Sequence, residues 1–185
     1  MNELLQQLTG GDLRSDGYAN EVADAVLAYP DLFEPLLEGL DSRDNVVRGR
    51  TAHALERISR TRPDLLSPHL PRLLEAAGDA LSMVRWHVAM MLANLALEVP
   101  PDVLQATLLS MLGDGSVFVR SWAISGLAIL GVVHPELGNA SILALEALQR
   151  DRSVAIRSRV RNALATLRDG EPLPAGWVKS HVLWL

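Results

Sequence analysis

The sequence predicts an all-α fold of four repeated helical hairpins, set between an N-terminal helical cap and an apolar C-terminal tail. Three observations carry this. Apolar residues make up 49% of the 185 residues but Phe, Trp and Tyr only 4%, a Leu-, Ala- and Val-rich balance that favours helix on helix over a β-sandwich. The dipeptides Val47-Arg48, Val84-Arg85, Val119-Arg120 and Ile156-Arg157 recur at intervals of 37, 35 and 37 residues, the signature of an internal repeat. Counted from each Arg, the third, sixth, seventh and tenth residues form matched columns: Thr51, Val88, Ala123, Val160; Ala54, Met91, Gly126, Ala163; Leu55, Leu92, Leu127, Leu164; Ile58, Leu95, Leu130, Leu167. Those offsets share one helical face.

Residues 1–30 match the repeat poorly. They hold two helical stretches, "NELLQQL" and "ANEVADAVLAY", joined by the Gly-rich "TGGDLRSDG", and read as a cap that covers the exposed end of the array. The repeats span 31–60, 63–98, 100–132 and 135–168. Each opens with an apolar-periodic first helix ("PDLFEPLLEGL", "LSPHLPRLLEAA", "PDVLQATLLSML", "ASILALEALQ"), with Pro tolerated near the start because a first-turn N–H has no partner. Each second helix begins near its Arg, with Asp44, Ser82, Ser116 and Ser153 as candidate N-caps. Val117 to Val119, strand-like by composition, therefore belong to the first turn of a helix. Residues 169–185 break the pattern with Gly170, Pro172, Pro174 and Gly176. They then supply Trp177, Val178, Val182, Leu183, Trp184 and Leu185, too apolar a run to stay in water. Two roles stay open for this tail: a lid on the last repeat, or a docking segment for a partner or a second copy.

The order helix, Asp-led turn, Val-Arg, second helix with small residues and Leu resembles HEAT repeats over about residues 31–168. The resemblance implies a right-handed α-solenoid with the first helices convex and the second helices concave. It also implies a structural ladder between Asp79, Asp114 and Asp151 and Arg48, Arg85, Arg120 and Arg157.

Positions 1, 2, 5, 8, 9 and 12 after each Arg lie opposite the core face. In the first repeat they include Arg50, His53 and Arg57; in the second Trp86, His87 and Met90; in the third Trp122 and Ile129; in the fourth Arg159. An apolar patch rimmed by arginines is what a binding surface presents, and Trp and Arg dominate interface energies. The expected site is a concave groove centred on Trp86, Met90, Trp122 and Ile129, flanked by Arg50, His53, Arg57, His87 and Arg159. It would bind a protein segment, with the arginines selecting acidic neighbours. The alternative is that both Trp rings only fill seams between second helices.

The chemistry expected is binding without catalysis. Glu56 stands alone in mid-face, so paired carboxylates for acid–base work are missing. Nor is there a Lys-Ser/Thr phosphate loop, and no two His share the i, i+4 spacing of a helical metal site. No cofactor and no metal are expected. The absence of cysteine suits a reducing compartment. Glu3 and the lack of a basic-then-apolar start argue against a signal peptide, and the longest uncharged run, Ser121 to Pro135, is too short to span a bilayer. A cytoplasmic protein without membrane contact is the expectation.

The net charge of −5 makes the whole chain a poor polyanion binder. Alkylpurine DNA glycosylases share HEAT-like repeats with a concave Trp and Asp. Here Met90 and Gly126 stand one turn after Trp86 and Trp122 where the acid is needed. The HEAT-like bilin lyases share the architecture, but no residue here points to their chemistry. Nucleic acid remains the second reading, through Arg150, Arg152, Arg157, Arg159, Arg161 and Arg168. Self-association through the groove or tail completes the partner classes.

Overall fold

The computed structural model describes residues 2–183; Trp184 and Leu185, named above as part of the apolar tail, lie outside the described residues. Its elements are helical throughout the described residues: α1 Glu3–Gln6, α2 Ala19–Ala28, α3 Phe33–Leu37, α4 Asn45–Ser59, α5 Pro63–Leu66, α6 Leu70–Ala76, α7 Ser82–Asn94, α8 Pro101–Met111, α9 Val117–Val133, α10 Gly138–Glu146 and α11 Val154–Asp169. Short 3₁₀ turns flank α3, α6 and α10.

The chain forms the expected all-α repeat solenoid. The second helices α4, α7, α9 and α11 stack side by side in one layer, with α2 added ahead of α4. First helices cover the other side: α3 lies on α4, α6 on α7, α8 on α9 and α10 on α11. The repeat columns are the reason. Every residue at positions 3, 6, 7 and 10 is buried except Leu167 in the last repeat, which is partly buried. Together they form one apolar core along the array. Full burial of a Leu or Ile side chain contributes about 1.5–3 kcal/mol, so the column itself specifies the stack.

Two of the four N-caps differ from expectation. Asp44 accepts from the Val46 N–H at 2.8 Å and Ser153 from the Ile156 N–H at 3.4 Å. Ser82 instead lies inside the first turn after Leu81, and Ser116 makes no side-chain cap bond. The ladder aspartates close all three later turns in the same way, whether or not the serine caps. Asp79, Asp114 and Asp151 accept, through Oδ1, the N–H of Leu81, Ser116 and Ser153, two residues on, so the turn is already closed upstream of the serine.

The same carboxylates hold the preceding repeat. Arg85 donates to Asp114 at 2.6 Å and Arg120 to Asp151 at 2.5 Å, while Arg48 Nε lies 2.8 Å from Asp79 in an ion pair whose N–H is not aimed at the oxygen. Arg48, Arg85 and Arg157 also donate to the carbonyl of residue i−6 in their own turn, Ser42, Asp79 and Asp151. One Arg thus ties its own turn to the next repeat. Arg157 has no ladder Asp in a following repeat, and among the described residues it keeps only the carbonyls of Asp151 and Arg152.

α11 ends at Gly170, in the left-handed region at φ 70°, where a Cβ would be strained. The tail then turns back. Trp177 stacks on Arg159, and the His181 N–H donates to the Arg60 carbonyl at 2.6 Å, at the far end of α4. The tail is more than a lid on the last repeat: it runs from the fourth repeat to the first, across the face of the second helices that points away from the first helices.

Candidate binding surface

That inner face divides by what covers it. At its N-terminal end, Arg50 is the residue around which the first loop folds. Its guanidinium donates to the carbonyls of Leu8, Thr9, Gly10 and Asp12, and more weakly to Ser15. Gly17, at φ 54°, passes so close that a Cβ there would stand 2.5 Å from the Arg50 Cζ. Arg50 is 3% exposed. The expectation that it flanks a groove is therefore corrected: it anchors the cap, because five loop acceptors leave it nothing to offer a partner.

His53 and Arg57 face α2. The His53 ring lies 3.3 Å from Asn20 Oδ1 and 3.7 Å from Asp16, and Arg57 pairs with Asp24 at 3.0 Å. Asn20 and Asp24 stand four residues apart on one face of α2, and Asp16 lies in the loop just before it; together they meet the basic column of α4. Glu56, the lone mid-face acid, is buried and held by Arg60, whose pKa it raises through their hydrogen bond.

In the middle of the face, Met90 is 5% and Ile129 2% exposed, and His87 is buried as well. Met90 and Ile129 are corrections of the expected groove floor, and His87 of its expected flank. Small residues let the second helices close on each other: Asn94 on α7 donates to Ser59 on α4 at 2.8 Å, and Arg159 on α11 to Ser125 on α9 at 2.8 Å. His87 donates from Nδ1 to the Met83 carbonyl at 2.8 Å, and burial pushes its pKa down to about 4, so the ring is neutral near pH 7.

The two tryptophans have different surroundings. Trp86 is partly buried, with its ring 4.1 Å from His87 and 5.9 Å from Phe118. It lines an open depression of about 470 Å³ with Leu13, Asp16, His53, Met83 and Phe118. Phe118 is 70% exposed. Trp122, also partly buried, lies under Arg159 at 4.9 Å, and Lys179 of the tail stands over it at 5.8 Å. Neither ring is simply a seam filler and neither is fully open.

An accessible apolar surface sits one turn earlier than expected, at the N-terminal ends of the second helices, while Leu97 and Val132 are exposed at the other ends of their columns. Met83 and Phe118 are four residues before His87 and Trp122, on the same helical face. Extending the inner columns back by one turn finds both. Leu13 carries no such signal, since its position depends on the loop around Arg50.

At the other end of the array, Arg168 pairs with Glu146, Arg157 holds loop carbonyls and Arg161 reaches Ser158. No cluster of three or more metal-ligating side chains exists among the described residues, and no described helix is long and apolar enough to cross a membrane.

Comparison with known proteins agrees with this geometry. A family model described as HEAT repeats matches residues 33–128. No curated protein matches the sequence. Among solved structures, the complex of CpcE and CpcF of phycocyanin lyase from Nostoc sp. PCC7120 is similar at 24% identity and TM-score 0.68, covering 86% of this chain and 95% of that one. Computationally designed armadillo repeat proteins for modular peptide recognition are similar at 18% identity and TM-score 0.64, covering 87% and 79%. A designed armadillo repeat protein in complex with the peptide (KR)4 is similar at 17% identity and TM-score 0.50, covering 89% and 98%. At these identities the likeness is one of fold.

Proposed function

The chain belongs to the HEAT-repeat family, and from that premise we propose that it is a non-catalytic adaptor that docks a protein segment at the N-terminal edge of its second-helix layer. The observation that carries this reading is Phe118. A phenylalanine left 70% exposed beside Trp86, Met83 and Leu13, over an open depression, is an apolar surface that water does not favour. The segment it fits carries a bulky apolar side chain for that depression. The solved relatives offer support of the same kind: designed armadillo proteins were made for peptide recognition, and CpcE and CpcF form a complex with each other.

The selecting arginines of this reading are reduced to one. Arg50 and Arg57 are engaged by the cap, and only Arg159 stands on the inner face without a carboxylate among the described residues. The buried Glu56–Arg60 pair leaves no acid free at mid-face for proton transfer.

Peptide selection from a random library on the intact chain tests the proposal. Selected peptides should share an apolar side chain, and should lose at least tenfold in affinity against Phe118→Ser, a surface change that leaves the core intact. Peptides that bind Phe118→Ser and Trp86→Ser as well as the parent sink the edge as the docking site.

A further inference from the structure

A second, shallow depression on the inner face, of about 420 Å³, lies between α9, α11 and the tail. Trp122, Ser158, Arg159, Asn162, Trp177 and Lys179 line it. Its centre is Arg159, whose Cζ lies 4.9 Å from the ring centroids of both Trp122 and Trp177. A guanidinium over aromatic faces keeps its N–H donors in its own plane, where the rings cannot accept them. Nε donates to the fully buried Ser125 hydroxyl at 2.8 Å. The two Nη groups have no hydrogen-bond partner among the described residues. Lys179 stands over Trp122 and likewise has no carboxylate among them.

This arrangement is at odds with the rest of the layer. Arg48, Arg57, Arg60, Arg85 and Arg120 each hold an acid. Asp169 and Glu171 line the adjoining depression, which shares Asn162, yet neither pairs with Arg159 or Lys179. Burial draws the Arg159 pKa below the usual guanidinium value, and no neighbouring charge pushes it back up. Two cations that line one depression with no acid beside them among the described residues make a place where an anion is favoured.

We propose that this pocket is a carboxylate-binding site, in which the Nη pair of Arg159 takes both oxygens, Lys179 supplies the second charge, and the tail completes the site by bringing Trp177 and Lys179 to α9 and α11. A carboxylate is planar, so it continues the plane of the guanidinium within the space beside the two indoles, and the fork geometry of Arg matches its two oxygens. A phosphate can also meet the fork, but it is tetrahedral and cannot lie in the guanidinium plane as a carboxylate does. The inference stands on Arg159 and the two indoles and holds whether or not a segment docks at Phe118. The tail in this reading is part of a site, and not only a cover.

The test uses the intact chain labelled with ¹⁵N, following the Trp indole and Arg Nε signals. Acetate, N-acetyl-Gly-Glu-Gly-amide, inorganic phosphate and chloride are titrated at constant ionic strength. Both carboxylates should shift the Trp122 and Trp177 indole signals saturably while chloride does not. Arg159→Gln should remove the response, and Lys179→Gln, which leaves the buried residues untouched, should weaken binding about threefold. Tighter binding of the tripeptide assigns the carboxylate to a protein side chain, and equal binding assigns it to a free acid; the site stands in both. Absence of any saturable shift overturns it, as does phosphate binding tenfold tighter than either carboxylate, or an unchanged response in Lys179→Gln and Arg159→Gln alike.

Discussion

The first and fourth repeats place arginines in the same inner column, and the two have opposite fates. Arg50 stands two residues after Arg48, and Arg159 two after Arg157. Arg50 meets a loop whose carbonyls close around it. Arg159 meets two indoles and one hydroxyl, and its outer donors have no partner among the described residues. The lesson is that a column on a repeat helix fixes where a side chain points, while the irregular segment that arrives there decides what the side chain does. At one end that segment is the Gly-rich loop, rich in acceptors; at the other it is the tail, which brings Trp177 and Lys179.

The sharpest way to break this comparison is to remove both arginines in turn. Arg50→Ala takes away the centre of the N-terminal loop, and hydrogen bonds to a charged group are each worth about 1.5–3 kcal/mol before water takes their place. With the freed carbonyls able to reach solvent as the loop opens, a net loss of about 3 kcal/mol in urea unfolding is expected, together with proteolysis within residues 9–17. Arg159→Gln should cost about 1 kcal/mol, since it loses one buried hydrogen bond and the stacking contacts. Equal losses would erase the distinction between anchor and binding group.

The tail is the next target. Trp177→Ala removes a buried ring at the edge of the fold, and should cost about 2 kcal/mol, below the range for a ring in the core centre. It should also speed hydrogen exchange at the His181 amide, which is bonded to the Arg60 carbonyl. Faster exchange there without faster exchange in α4 shows that the tail lifts as a unit. An unaffected His181 amide would mean that Trp177 does not hold the strap.

Much of the fold was legible because the repeat places the same residue class at the same offset four times. The hairpin order was legible for the same reason, and the Asp–Arg ladder through the resemblance to HEAT repeats. The surface was legible only in part. The columns point Trp86, Trp122 and Arg159 to the inner face, but the burial of Met90, Ile129 and His87 depends on how closely Asn94, Ser59 and Ser125 let neighbouring helices approach. Arg50 was misread because its partners are backbone carbonyls, which leave no trace in residue identity. Phe118 was visible as a strand-like residue and then absorbed into a helix turn; its exposure follows from sitting one turn ahead of the packed part of α9.

The ladder supplies a comparison within the array that has the smallest effects. Arg85 bridges two repeats, whereas Arg157 bonds only its own turn. Arg85→Ala should cost about 2 kcal/mol and Arg157→Ala less than about 0.5 kcal/mol, read from urea midpoints. The same contrast carries a pH dependence. The Arg85 hydrogen bond holds the Asp114 carboxyl below its ordinary value of 3.8, and that of Arg120 does the same for Asp151. A carboxylate with a lowered folded pKa binds fewer protons in the native state than in the unfolded one. Its stabilisation is complete above the unfolded value and is lost as pH falls from there through the folded value. The parent chain should therefore lose stability below about pH 4, and Asp114→Asn should start lower and fall less steeply through that window. An Asp114→Asn curve parallel to that of the parent would show that the carboxylate charge does not contribute and that the ladder works by hydrogen-bond geometry alone.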